Sequence, residues 1–288
     1  MLKESELILN DKGNVYHLDV CGDNIADTVI LVGDQNRVAE ISKRFDNIEF
    51  QTSHREFVTH TGNYSGRRIT VTSTGIGTDN IDIVLNELDA AVNINPKTRQ
   101  VNSKHRKLSL IRLGTCGSLQ GDIGVNELVA SSFGLGFDGL LNFYEGGEFI
   151  NEKELCDAFE KHVGWLPKLP STYCIKSSDE LISKLDGTFY KGITATAPGF
   201  YGPQGRQIKL RAAIPDLNEK LTDFKFNGSR ICNFEMETSA LYGLGKLLNH
   251  DTLTICVVIA NRIKMAFTKD YNYSVDKLIT KSLEAICR

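Results

Sequence analysis

The chain has 288 residues, 41% of them hydrophobic and 24% charged, a balance that excludes a disordered, collagen-like or coiled-coil protein. Lys and Arg total 33 against 36 Asp and Glu, for a formal net charge of −3. The basic excess expected of a nucleic-acid binder is absent, so any anion must be held by a few placed arginines. Seven cysteines form an odd set without a C-x-x-C pair, which favours reduced, mostly buried thiols of a cytoplasmic protein over disulfides or zinc. The start, Met1-Leu-Lys-Glu-Ser-Glu, lacks the apolar core of a signal peptide, and the strongly apolar stretch around Ile255–Ala260 is too short to span a bilayer. No membrane partner is expected.

In chain order, the β-branched run Thr28–Val32 predicts a buried strand. Gly33-Asp34-Gln35-Asn36-Arg37 follows it and opens a helix with Val38, Ile41 and Phe45 on one face. Such a turn presents free backbone N–H groups to an anion, and Gly33 permits close approach, although a plain turn with a solvated arginine has the same local sequence. Arg68–Ser73 predicts a second strand, and Ile81, Val84, Leu85 and Leu88 a helix face. The polar stretch Asn95–Lys107 reads as an exposed loop. The run Leu108–Leu113 ends in an arginine, Arg112, followed by Gly114-Thr115-Cys116-Gly117, read as a turn offering a hydroxyl and backbone donors. An arginine so embedded needs an anionic partner.

Glu127–Ser131 predicts the next strand. Gly134-Leu-Gly136-Phe-Asp-Gly139 matches G-x-G-x-x-G, but the residues after it make a poor helix, so a glycine-rich strand exit is expected rather than a nicotinamide or flavin site. Phe143–Pro170 has no clear pattern beyond a short helix around Glu152–His162. Ile193–Ala197 predicts a strand leading to the loop Phe200-Tyr-Gly-Pro-Gln204-Gly-Arg206, whose donors and acceptors suit a flat heterocycle with carbonyls and an N–H. Arg230–Asn233 is strand-like and runs into Phe234-Glu235-Met236-Glu237-Thr238, read as a helix start with Met236, Ala240, Leu244 and Leu247 on one face. Its two carboxylates are one residue apart and so are expected to diverge. One of them could accept hydrogen bonds from vicinal sugar hydroxyls, or merely offset the helix dipole. Thr254–Ala260 is the last strand, and Val275, Leu278, Ile279 and Leu283 mark the last helix. Strands alternating with helices predict an α/β fold, a mixed sheet with helices on both faces, with no linker dividing residues 1–288.

Taken together and in this order, several motifs resemble the nucleoside phosphorylase family, most closely its bacterial-type uridine phosphorylases. They are Val15-Tyr-His17-Leu, Gly33-Asp-Gln-Asn-Arg37-Val, Arg55-Glu56-Phe57, Ser73-Thr-Gly75-Ile76-Gly77, Arg112-Leu-Gly-Thr115-Cys-Gly117, Phe200-Tyr-Gly-Pro-Gln204-Gly-Arg206, Asn233-Phe-Glu235-Met236-Glu237 and Asn261-Arg262. They span roughly the whole chain.

The resemblance implies a partly closed central sheet and phosphorolysis of pyrimidine nucleosides, with phosphate as co-substrate and no organic cofactor or catalytic metal. It implies a phosphate site from Gly33, Arg37, Arg112 and Thr115, completed by Arg55 of a neighbouring subunit. Met236, Glu237 and a neighbour's His17 would hold the ribose, and Phe200, Gln204 and Arg206 the base. Arg112, Glu237, Gln204 and Arg206 would carry the chemistry. A homo-oligomer, dimer or hexamer, follows, and in some relatives a monovalent cation such as K⁺ sits between subunits near Glu56 and Ile76, although Asn80 replaces the usual small hydroxyl residue. The purine branch has a Ser-Asp after the last buried strand, where this chain reads Ala260-Asn261-Arg262. The rival readings are a purine nucleoside phosphorylase, a phosphate-independent nucleosidase of the same fold, and a non-catalytic nucleoside binder.

Overall fold

Each β-branched run becomes a strand of one mixed twelve-stranded sheet in the computed structural model, which describes residues 1–287. Five strands close on themselves. Ser109–Ser118 lies parallel to Asp251–Asn261, which lies antiparallel to Leu128–Gly136. Phe189–Thr196 lies parallel to Leu128–Gly136 and to Ser229–Glu235. Ser229–Glu235 then returns to Ser109–Ser118 through the pairs Asn233↔Ser118 and Phe234↔Gly117. From this ring an open wing extends through Thr28–Val32 and Arg67–Ser73, both parallel, to the antiparallel strands Phe57–Tyr64 and Asn47–His54. The expected partly closed mixed sheet is therefore present.

Helices cover both faces. On one, Val38 and Ile41 of helix Gln35–Ser42 and Leu278, Ile279 and Leu283 of helix Tyr271–Ile286 pack on the sheet core. On the other, Ile81, Leu85 and Leu88 of helix Thr78–Asn93 meet Leu241 and Leu244 of helix Thr238–Leu247. A helix does form at Lys153–Val163, where the short helix was expected, and buries Leu155, Phe159 and Val163.

Four readings change. Gly114–Gly117 is not a turn: the strand continues to Ser118, because pairing with Asp251–Asn261 carries the backbone straight through its turn-forming residues. The strand before Met236 runs on to Glu235, and the helix begins only at Thr238. Phe45 lies beyond the helix that ends at Ser42. The segment Asn95–Lys107 contains part of a small two-stranded hairpin, Ile94–Asn95 with Gln100–Val101. Strands Asn47–His54 and Phe57–Tyr64 are not among the expected ones, although Val58, Thr59 and Thr61 mark the latter. The former is an edge strand with no fully buried residue, so burial selects no apolar face. The turn between Phe57–Tyr64 and Arg67–Ser73 is legible in hindsight: Ser65 and Gly66 have φ of 51° and 75°, as a two-residue hairpin loop of right-handed twist requires.

Tyr242 fixes helix Thr238–Leu247 to the ring. Its ring is fully buried, its hydroxyl donates to the Ser131 carbonyl at 2.7 Å and accepts from the Thr254 N–H at 2.8 Å. Replacing Tyr242 with Phe strands two buried backbone groups at little change in volume. We expect a loss of about 1–3 kcal/mol, read from urea unfolding midpoints; a variant as stable as the parent would show that neither group depends on the phenol.

Candidate active site

The pairing of Ser109–Ser118 with Thr28–Val32 ends at Arg112, and its pairing with Ser229–Glu235 begins at Gly117. One edge of Leu113–Cys116 is thus left without a neighbouring strand, and a cavity of about 830 Å³ opens there. Strand Thr28–Val32 delivers its following turn to the same place. Asp34 caps helix Gln35–Ser42, its Oδ1 accepting from the Asn36 N–H at 2.9 Å. This sets Arg37 in the first turn, where its buried guanidinium donates to the Leu113 carbonyl at 3.2 Å and to the Tyr271 hydroxyl at 2.7 Å.

Arg112 is buried as well, with Nη2 on the Glu237 carboxylate and Nη1 3.5 Å from Glu235 Oε2. The carboxylates expected to diverge both reach one guanidinium, because Glu235 ends a strand and Glu237 lies in the non-helical residue before Thr238. Glu235 accepts from Thr196 Oγ1 at 2.7 Å, from the Glu237 N–H at 2.9 Å and from the Thr238 N–H at 2.9 Å. It therefore satisfies the open end of helix Thr238–Leu247. Glu237 Oε1 accepts from the Gly77 N–H at 2.9 Å, which ties in the start of helix Thr78–Asn93. Burial would lower the Arg112 pKa, but Glu237 and then Glu235 more than reverse this, so it lies above the ordinary arginine value. Burial raises the Glu235 carboxyl; Arg112 opposes the rise and the charge of Glu237 adds to it.

The third wall is the loop after Phe189–Thr196. Arg206 lies over the Phe200 ring, 3.8 Å from its centroid, and donates to the Phe200 carbonyl and to Gln204 Oε1, each at 2.6 Å. Burial, and secondly the charge of Arg262, lower its pKa to about 10, which leaves it protonated at neutral pH. Gln204 is buried.

Gly33, Arg37, Arg112, Thr115, Met236, Glu237, Phe200, Gln204 and Arg206 therefore share one cavity, with Glu56 and Ile76 at its wall beside Asn80. The Asn80 amide nitrogen packs on Gly75, where a Cβ would come within 2.2 Å of it. Two expected residues are not among those that line the cavity. His17 donates its backbone N–H to Glu87 and has Nδ1 2.5 Å from Glu87 Oε1. Arg55, at φ 54° in a two-residue turn, donates to the Tyr16 hydroxyl at 3.1 Å with its guanidinium 5.3 Å from that ring. Asn261 is also withdrawn: its Nδ2 donates to the Gln120 and Ile123 carbonyls and its Oδ1 accepts from the Ile263 and Lys264 N–H groups.

Sequence reasoning missed Tyr271, Glu235 as a second partner of Arg112, and Glu87 behind His17. Asp270 before an apolar-periodic helix signals where Tyr271 stands, but no local pattern announces a contact across more than two hundred residues.

Residues 27–286 match the family model described as the phosphorylase superfamily. The chain belongs to this superfamily. It is 30% identical over 259 residues to a uridine phosphorylase of Thermococcus kodakarensis, covering 90% of this chain and 82% of that one. It is 29% identical to a DeoD-type purine nucleoside phosphorylase of Thermoanaerobacter sp., covering 84% and 85%. Among solved structures, a Trypanosoma brucei nucleoside phosphorylase described as showing uridine phosphorylase activity superposes with a TM-score of 0.87 at 29% identity, covering 98% of this chain and 99% of that one. Like other phosphorylases of this superfamily, the chain is an enzyme with a helix-flanked mixed sheet. Among the described residues, no helix is long and apolar enough to cross a membrane.

Gly114 is what allows this superfamily member to fold Arg112 inward. A Cβ at residue 114 would lie 1.9 Å from Arg112 Nη1. Gly114→Ala therefore expels the guanidinium from between two buried carboxylates, and we expect a loss of about 3–5 kcal/mol in chemical unfolding. A loss below about 1 kcal/mol, ordinary for a mild substitution, would show that Arg112 has room to turn.

Proposed function

We propose that this chain catalyses phosphorolysis of uridine, giving uracil and ribose 1-phosphate. The observation that carries the reading is the convergence in one cavity of three chemistries: Arg37, Arg112 and Thr115 for an anion, Met236 and Glu237 for a sugar, and Phe200, Gln204 and Arg206 for a heterocycle. The curated and solved relatives that carry a uridine phosphorylase name or activity support it.

In this scheme phosphate is the co-substrate and takes its hydrogen bonds from Arg37, Arg112 and Thr115. The ribose hydroxyls donate to Glu237, which relaxes its hold on Arg112 and frees guanidinium donors for the phosphate. The glycosidic bond lengthens toward an oxocarbenium-like state, and phosphate then attacks C1′. Negative charge gathers on the departing uracil, where Gln204 and the protonated Arg206 stabilise it. Positioning and fixed charge supply the rate, without an organic cofactor. A monovalent cation at Glu56 and Ile76 would serve the subunit contact rather than the chemistry. The free thiols of the described cysteines fit a cytoplasmic setting.

Base preference rests on the same loop. Uracil offers carbonyls to Arg206 and Gln204, whereas adenine offers none, and Asn261 is committed to its turn with no carboxylic acid in its place to protonate a purine. We expect phosphate-dependent uracil release, with uridine preferred over inosine or adenosine by roughly 10⁴-fold in kcat/KM. Arg112→Ala should lower turnover by about two to three orders of magnitude. Equal rates on uridine and inosine would overturn the pyrimidine assignment. Uracil release without phosphate would make the protein a nucleosidase, and no turnover a binder.

His17 and Arg55 complete a neighbour's site in this reading. They stand outside their own cavity on a partly exposed patch braced by Tyr16 and Glu87. Co-expressed Arg55→Ala and Arg112→Ala chains should then regain activity that neither has alone, since one site of a mixed dimer carries both intact residues. Absence of any recovery in a verified mixed oligomer would sink the shared site.

A further inference from the structure

The two buried arginines of the cavity are held in opposite ways. Arg112 faces two carboxylates, which neutralise it. Arg37 makes no ion pair among the described residues. Its partners are a carbonyl, Leu113, and a phenol, Tyr271, both neutral. A guanidinium so held keeps its full charge for a ligand, and its position depends on the two acceptors that fix it.

Tyr271 is 41% exposed, and the helix start that carries it is held in place. Tyr271 opens helix Tyr271–Ile286, and Asp270 caps that helix by accepting from the Tyr273 N–H at 2.9 Å. Ser274 Oγ donates to Asn126 Oδ1 at 2.5 Å, and Lys277 Nζ donates to the Asn126 carbonyl at 2.8 Å, so the first turns are pinned to the ring of strands. Just beyond the helix that carries Arg37, Arg44 ties the chain to the same element further along, donating to Asp276 Oδ1 at 2.5 Å and to Thr280 Oγ1 at 2.6 Å. Two segments far apart in sequence are thus tied together by hydrogen bonds, with Arg37 and Tyr271 at the cavity.

We propose that Tyr271 is a positioning residue of the anion subsite, holding the uncompensated charge of Arg37 in place for phosphate. This rests on the reading of Arg37 as a phosphate ligand. It predicts a defect confined to one substrate, since Tyr271 acts through its hydrogen bond with Arg37.

The test is steady-state kinetics with uridine at varied inorganic phosphate, on the full-length wild type, Tyr271→Phe, Arg37→Ala and the double variant. Phe keeps the ring and its packing and removes only the acceptor. A hydrogen bond to a charged group is worth about 1.5–3 kcal/mol, so the phosphate KM of Tyr271→Phe should rise by roughly 10-fold or more. Its uridine KM, and kcat at saturating phosphate, should stay within about twofold. In the Arg37→Ala background the same substitution should add less than about threefold, because the group it positions is gone. Isothermal titration of phosphate into Tyr271→Phe without nucleoside should show the same weakening. An unchanged phosphate KM in Tyr271→Phe beside a raised one in Arg37→Ala would overturn the proposal and leave the phosphate site intact. So would an equal rise in the uridine KM, or full additivity in the double variant. An unchanged phosphate KM in Arg37→Ala would instead remove the phosphate reading of Arg37 itself.

Discussion

The site depends on one buried ion cluster, the Arg112 guanidinium between Glu235 and Glu237. Three charges largely withdrawn from water at the cavity wall are tolerable only when each is paired and hydrogen-bonded. The surroundings meet that condition piece by piece. Thr196 and the first N–H groups of helix Thr238–Leu247 satisfy Glu235, and Gly77 at the start of helix Thr78–Asn93 satisfies Glu237. Gly114 leaves the space into which Arg112 folds. The cluster therefore joins strand Ser109–Ser118, the end of strand Ser229–Glu235 and two helix N-termini at one point. Removing Arg112 leaves two buried carboxylates facing each other without a counter-charge.

From that point outward the cavity is graded in charge. The cluster carries one more carboxylate than guanidinium, Arg37 stands uncompensated beyond it, and Arg206 adds a second cation on the far wall. A protein of net charge −3 can in this way bring positive charge to bear on an anion without any general positive field. Stacking on Phe200 and donation to Gln204 fix the Arg206 plane before any base arrives, so little reorganisation is needed as charge develops.

Legibility followed burial. Thr28–Val32 and Asp251–Asn261 are covered on both faces, so their composition is nearly continuous in β-branched and apolar residues and they stand out in the sequence. Asn47–His54, on the wing's outer edge, is selected for no such face and reads as irregular. Gly114-Thr115-Cys116-Gly117 shows the converse error. Those residues favour a turn locally, yet ring closure extends them, and the sheet partner on one side overrides the propensity.

The class of fold is written in the alternation of buried runs with helical spacing, and the residue types of the site in short motifs whose order points to the phosphorylase superfamily. The residues also show where Arg37, Arg112, Gln204, Arg206 and Glu237 stand along the chain, because each lies in a legible buried run, at an element boundary or on a recognisable loop. What each of them faces is a matter of packing between distant segments. That Glu235 and Glu237 converge on Arg112, that Tyr271 meets Arg37, that Asn261 turns away into its own loop, and that His17 and Arg55 stand apart from the cavity are all set by packing between segments distant in sequence. Such contacts follow from how sheet register and helix docking bring those segments together, and periodicity within any one segment carries no information about them.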